Sequence, residues 1–252
     1  MFHKFVPAAA VLLSAVCPLA AQETPAIRAE IRMLAFTSDL QHAEAYAQDP
    51  AGPDTAVAVK APIKTYLNHQ FSIIQCKSRK IVFTTKPDRA SLTREGELIG
   101  EVTLPDDVNS AILLFLPSKA GGKSLCQIMA INDSKKAFPS GSYHATNLSA
   151  LPIRLMLEKK NYDFKPGQEI LIEDPPVREG RQSGMRTFAF KDNAWMPVAT
   201  GLWPHPGDAR GVLVLFQNPA SGDVQLRAFD DDPPRVAAAP GTASPATAAL
   251  SR

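Results

Sequence analysis

Apolar residues recur along this chain in short runs with a period of two, and Pro, Gly, Asn or Asp closes each run. Ile27, Ala29, Ile31 and Met33 alternate with Arg28, Glu30 and Arg32, which predicts a strand with one face in water. Similar runs predict strands at 55–60, 63–67, 70–76, 80–85 and 97–104. The short Lys77-Ser78-Arg79 piece between two of them reads as a hairpin turn. Segment 39–48 carries helix formers behind Ser38, but its neighbours are all strands and favour a strand there too. The most apolar stretch outside the first residues is 109–132, where Ala111 to Leu116 is unbroken hydrophobic sequence. A run that short, closed by Asn109-Ser110 and Pro117, predicts a strand covered on both faces. A polar loop with Gly121 and Gly122 then returns the chain into a second strand ending at Asn132.

Beyond a polar connector at 133–141 the pattern resumes, with strands predicted at 142–148, 152–158, 161–164, 168–173, 185–190, 194–203, 210–217 and 223–229. Each half carries about eight short strands and no strong helix, the signature of an all-β fold. The expected architecture is two small antiparallel β-sandwich domains of Ig-like type in tandem, at 22–137 and 138–232. A single larger sandwich is the alternative. No repeat is visible between the halves at the level of sequence. The last segment, 233–252, is Ala, Pro, Ser and Thr with almost nothing large, and is expected to be a disordered tail.

The first residues alter the picture. Lys4 precedes an apolar stretch from Val6, and Leu19-Ala20-Ala21 leads into a polar start at Gln22. This pattern predicts a signal peptide at 1–21, cleaved near Ala21, and a secreted or periplasmic mature chain. No later apolar stretch is long enough for a membrane span. Losing Lys4 with the leader takes 27 basic residues to 26, against 25 acidic, a balance that argues against a nucleic-acid partner.

Two cysteines remain after cleavage, Cys76 and Cys126. A disulfide between them would close a loop of about fifty residues and stabilise by roughly 2–4 kcal/mol in an oxidising compartment. Two buried free thiols are the alternative.

Chemistry is sparse. His42, His69, His144 and His205 fall in no metal-ligand spacing, and no Ser lies in a G-x-S-x-G elbow. Asp106-Asp107, Glu173-Asp174 and Asp230-Asp231-Asp232 sit at strand ends and read as solvated acids. Gly122-Lys123-Ser124 mimics the end of a phosphate-binding loop, but Pro117 stands where its first Gly belongs. Trp203, followed by Pro204 and His205, is expected near a loop, so Trp203 and His205 are the candidate surface-binding residues. No cofactor is expected.

At Asn132-Asp133-Ser134, Phe138-Pro139-Ser140-Gly141-Ser142, Asn147-Leu148-Ser149, Pro152-Ile153-Arg154-Leu155 and Pro166-Gly167 the chain resembles secreted bacterial β-rich proteins of uncharacterised activity. The likeness runs from about residue 26 to 232 and includes a Trp strand at Trp195 and a closing hairpin with Arg210 and Arg227. It implies a β-sandwich protein of the cell envelope and supplies no catalytic residue. The expected function is a non-catalytic binding or scaffolding component whose partner is another protein or envelope component. An extracytoplasmic hydrolase acting on a polymer and a small-ligand carrier are the alternatives.

Overall fold

The computed structural model describes residues 27–67, 71–118, 123–178, 180–218 and 221–232. The leader, the C-terminal segment, His69 and the loop glycines at 121 and 122 lie outside them. The fold is all-β. Among the described residues eight strands precede residue 133: β1 (Ile27–Ala35), β2 (Tyr46–Gln48), β3 (Val59–Lys60), β4 (Ser72–Cys76), β5 (Lys80–Thr84), β6 (Leu98–Thr103), β7 (Ser110–Pro117) and β8 (Cys126–Asn132). Eight follow it: β9 (Ser142–Asn147), β10 (Ile153–Leu157), β11 (Lys160–Phe164), β12 (Glu169–Glu173), β13 (Gln182–Lys191), β14 (Ala194–Pro204), β15 (Arg210–Gln217) and β16 (Val224–Asp231).

The strands form four sheets of four: sheet I is β4-β1-β7-β8, sheet II β3-β2-β5-β6, sheet III β12-β9-β15-β16 and sheet IV β11-β10-β13-β14. Adding eight to each strand number of sheets I and II reproduces sheets III and IV. The repeat that is invisible in sequence is therefore complete in topology.

Both halves depart from the antiparallel expectation at the same place. β1 pairs with β7 in parallel, and β9 pairs with β15 in parallel. In each half the chain leaves the first strand, builds most of the other strands, and re-enters beside the first in the same direction.

Strand parity explains the layering. Ala111, Leu113 and Phe115 of β7 enter a core shared by sheets I and II, whereas Ile112, Leu114 and Leu116 enter a second cluster with Val212, Val214 and Phe229 of sheet III. Leu213 and Leu215 of β15 point the other way, into the core of sheets III and IV. The sheets thus stack in the order II, I, III, IV. The two parallel pairs occupy the middle layers and are buried on both faces, which is why β7 and β15 are unbroken apolar runs.

Several local expectations are revised. Residues 38–40 form a 3-10 turn, and only Tyr46–Gln48 of segment 39–48 is strand. The run at 63–67 contributes isolated bridges rather than a strand. The Lys77-Ser78-Arg79 turn does not close a hairpin, because β4 belongs to sheet I and β5 to sheet II.

The expected disulfide between Cys76 and Cys126 is absent, and both thiols are free and buried. Strand order gives the reason. β4 and β8 are opposite edges of sheet I, about 14 Å apart at a strand spacing of about 4.8 Å. Cys76 stands opposite Ile27 at the start of β1, and Cys126 opposite Pro117 at the end of β7. They occupy diagonal corners of the sheet, whereas a bridge requires Cα atoms within about 7 Å.

Candidate functional site

Between the middle sheets lies a buried ionic cluster. Arg32 on β1, Asp133 after β8, Arg210 on β15 and Asp231 on β16 are all shielded from solvent. Arg32 donates from Nε (3.1 Å) and Nη2 (2.8 Å) to Asp133 Oδ2, and from Nη1 to Asp231 Oδ1 (2.7 Å) and the Leu67 carbonyl (2.9 Å). Arg210 donates from Nη2 to Asp231 Oδ2 (2.7 Å) and to Asp133, and from Nη1 to the Phe138 carbonyl. Phe71 and Phe138 cover the two guanidinium planes, with ring centroids at 5.1 and 4.0 Å. Burial alone would lower the pKa of Arg32. The hydrogen bonds and charges of Asp231 and Asp133 outweigh it and leave that pKa raised.

Two positive and two negative groups satisfy one another here, nearly all shielded from solvent, and Arg210 also borders a small cavity beside His205. The arrangement locks the halves together at one end.

The sequence pattern placed Arg32 in water and read Asp230–Asp232 as solvated acids. Arg28 and Glu30 do reach solvent, but the second half of the chain covers Arg32, and Asp231 is buried with it. A signal was present: Leu34 and Phe36 share the parity of Arg32, so the outward face of β1 turns apolar beyond it.

At the far end of the same interface the two equivalent hairpins, β7–β8 and β15–β16, both border an opening. They leave a groove of about 790 Å³. Leu116, Leu148 and Phe216 supply apolar surface, and Gln127, Gln217 and Asn218 supply amides. Both halves contribute, and no acid, His, Lys or Arg stands among the described lining residues. Phe216 is fixed from behind by Phe36, with ring centroids 4.8 Å apart. Such a groove can hold a neutral group by apolar contact and amide hydrogen bonds. An unpaired charge entering it would lose hydration without compensation.

The two residues expected to bind at the surface lie elsewhere. Trp203 is only 8% exposed and packs in the core of sheets III and IV, its ring centroid 4.7 Å from that of Tyr143. The loop after it leaves β14 without uncovering the indole. His205 shares a small cavity of about 190 Å³ with Tyr143, Asp230 and Asp232. Its Nδ1 accepts the Gly207 N–H at 2.9 Å, which puts the ring proton on Nε2, 3.8 Å from Asp174. The Tyr143 hydroxyl donates to the Pro204 carbonyl at 2.6 Å, and burial, with Asp230 nearby, raises its pKa. These groups hold an imidazole and carboxylates near one another, and the one hydroxyl among the described lining residues, that of Tyr143, is engaged by the Pro204 carbonyl. Among the described residues no group of three His, Cys, Asp or Glu is placed to hold a metal ion. No described helix is long and apolar enough to cross a membrane.

No protein-family model matches this chain, and no curated protein matches it in sequence.

Proposed function

We propose that the chain is an exported, non-catalytic binding protein of the cell envelope, built as two Ig-like sandwich units in tandem. In this reading the groove between the units receives an uncharged segment of another envelope component. One observation carries it: a groove of ligand size, lined by amides and apolar side chains, has walls backed by the apolar cluster between the middle sheets, where Phe216 packs on Phe36. Fixed walls spare the protein the ordering cost that binding otherwise exacts. Export rests on the leader pattern at 1–21.

The test is an NMR titration of the isotope-labelled mature chain with a neutral Gly/Ser peptide and with neutral dextran oligosaccharides. Saturable shifts at Gln127, Gln217 and Asn218, abolished by Leu148→Arg, are expected for one of them. Shifts confined to other surfaces, or none, would remove the reading. N-terminal sequencing of protein recovered outside the cytoplasm is expected to begin at Gln22.

A further inference from the structure

The duplicated topology allows one half to be read against the other, and the outer faces of sheets II and IV differ. In sheet II, Ile81 and Phe83 of β5 enter the core, yet Val82 and Thr84 on the opposite face are buried as well. The chain between β5 and β6, residues 85–97, covers them with a 3-10 turn at Arg89–Leu92. Gln48 Nε2 lies within hydrogen-bond distance of Thr84 Oγ1 (2.9 Å) and Ser91 Oγ (3.0 Å). Arg89 fastens the strap by donating to the carbonyls of Asp49 (2.6 Å) and Gly52 (3.1 Å).

In sheet IV the equivalent strands, β13 and β14, are joined by Asp192-Asn193 alone, both at positive φ (52° and 62°). A two-residue hairpin leaves no chain to form a strap. Thr187 and Ala189 are buried toward the core, so Arg186, Phe188 and Phe190 face outward. Phe190 stands opposite Trp195, Phe188 opposite Arg154, and Gly184 opposite Leu202. Trp195 is 38% exposed and Leu202 68%. The Arg154 guanidinium lies 4.5 Å over the Trp195 ring, held by two hydrogen bonds to Asp163 of 2.7 and 2.8 Å. An aromatic–arginine stack fixed in this way has the make-up of an interface anchor.

Charge identifies the occupant. Asp163 neutralises Arg154, but Arg186 touches the Met156 sulfur at 3.0 Å and pairs with no carboxylate among the described residues. The face is apolar and carries one cation, Arg186, that no acid among the described residues balances. A second copy docked face to face would add a second uncompensated Arg186. Pairing along the β14 edge is obstructed by Pro197, Pro204 and the bulge opposite Thr187/Phe188.

We propose that the outer face of sheet IV docks an acidic polypeptide segment of a partner protein, with a carboxylate on Arg186 and its apolar groups on Trp195 and Leu202. The segment takes the place that residues 85–97 occupy in the first half. This site is separate from the groove between the middle sheets.

The experiment measures binding of poly-L-glutamate to the full chain, with sodium polygalacturonate and poly-L-lysine as comparators, and sedimentation across protein concentration. Saturable binding of poly-L-glutamate is expected, weakened about tenfold or more by Arg186→Glu and by Leu202→Asp. Both positions are exposed, so near-UV circular dichroism should match the parent. Failure of poly-L-glutamate to bind, or binding undiminished in both variants, overturns the proposal. Tighter binding of polygalacturonate would assign the face to an acidic glycan instead. Self-association abolished by Leu202→Asp would assign it to a second copy. Leu148→Arg in the groove should leave poly-L-glutamate binding unchanged, so this proposal and the groove reading can fail independently.

Discussion

Arg32 and Asp231 stand 199 positions apart in the chain, yet Arg32 donates to both carboxylate oxygens of Asp231, at 2.7 and 3.1 Å. The pair crosses from sheet I to sheet III, so it forms only when the halves dock. Removing one partner strands a buried charge, which typically costs about 3–5 kcal/mol. Arg32→Ala should lose that much in urea denaturation, whereas Arg28→Ala, which breaks an exposed pair with Glu30, should lose no more than about 1 kcal/mol. The double variant Arg32→Met/Asp231→Leu leaves Arg210 and Asp133 to neutralise one another. It should lose less than the two single changes summed. Additive losses would show that the cluster does not act as one unit.

Cys76 and Cys126 should persist as thiols after exhaustive air oxidation, with the intact mass unchanged and both sites alkylated only in denaturant. Burial, with a smaller contribution from Asp39, raises the Cys126 pKa from its ordinary 9.0 to about 11. The folded thiol therefore keeps its proton where the unfolded one loses it. Its contribution to stability is complete below about pH 9 and declines as pH rises through about 11. Denaturation midpoints should fall across that window, and less steeply in Cys126→Ala.

These two cases mark how far the sequence can be read. Alternation and turn residues located nearly every strand, because strand periodicity is written locally. The run at 111–116 even signalled burial on both faces. Strand order is not written locally. Cys76 and Cys126 each looked ready to pair because nothing near them records that β1 and β7 lie between. Arg32 looked solvent-facing for the same reason: parity tells which side of a strand a residue takes, not what a distant half lays against it. The groove and the bare face of sheet IV are likewise products of assembly. Only the two-residue spacing between β13 and β14, against thirteen between β5 and β6, hinted at the difference.

Gly211 should tolerate no side chain. A Cβ there would stand 2.5 Å from Cδ1 and Cε1 of Tyr143, its partner in the parallel ladder. Tyr143 cannot swing away, because its ring packs on Trp203 and its hydroxyl holds the Pro204 carbonyl. Gly211→Ala should cost about 1–3 kcal/mol, the usual range for overpacking a core. It should also change the near-UV circular dichroism of Trp203. Adding Tyr143→Leu should restore part of the loss, since the obstruction lies in the ring. An unchanged denaturation midpoint for Gly211→Ala would mean that β9 and β15 are spaced more loosely than the ladder indicates.

Asn147 tests the polar seam of the second half. Its Nδ2 donates to the carbonyls of Leu151 (2.8 Å) and Lys165 (3.2 Å). Its Oδ1 accepts from the N–H (3.0 Å) and the hydroxyl (2.7 Å) of Ser149. The residue is fully buried, so the amide has no capacity left, and the Asn147-Leu148-Ser149 sequon is closed to glycosylation in the folded state. Asn147→Ala leaves two carbonyls and the Ser149 donors to find new partners, at a cost of about 1–3 kcal/mol. Asn147→Asp keeps the acceptor but sets a carboxylate oxygen against those two carbonyls. It should cost more than the alanine change at pH 7. Protonation restores one donor, and burial raises the pKa of the new carboxyl, so the deficit of Asn147→Asp should shrink as pH falls toward 5. A deficit that stays constant with pH, or that is smaller than the deficit of Asn147→Ala at pH 7, would show that the amide does not bind both carbonyls.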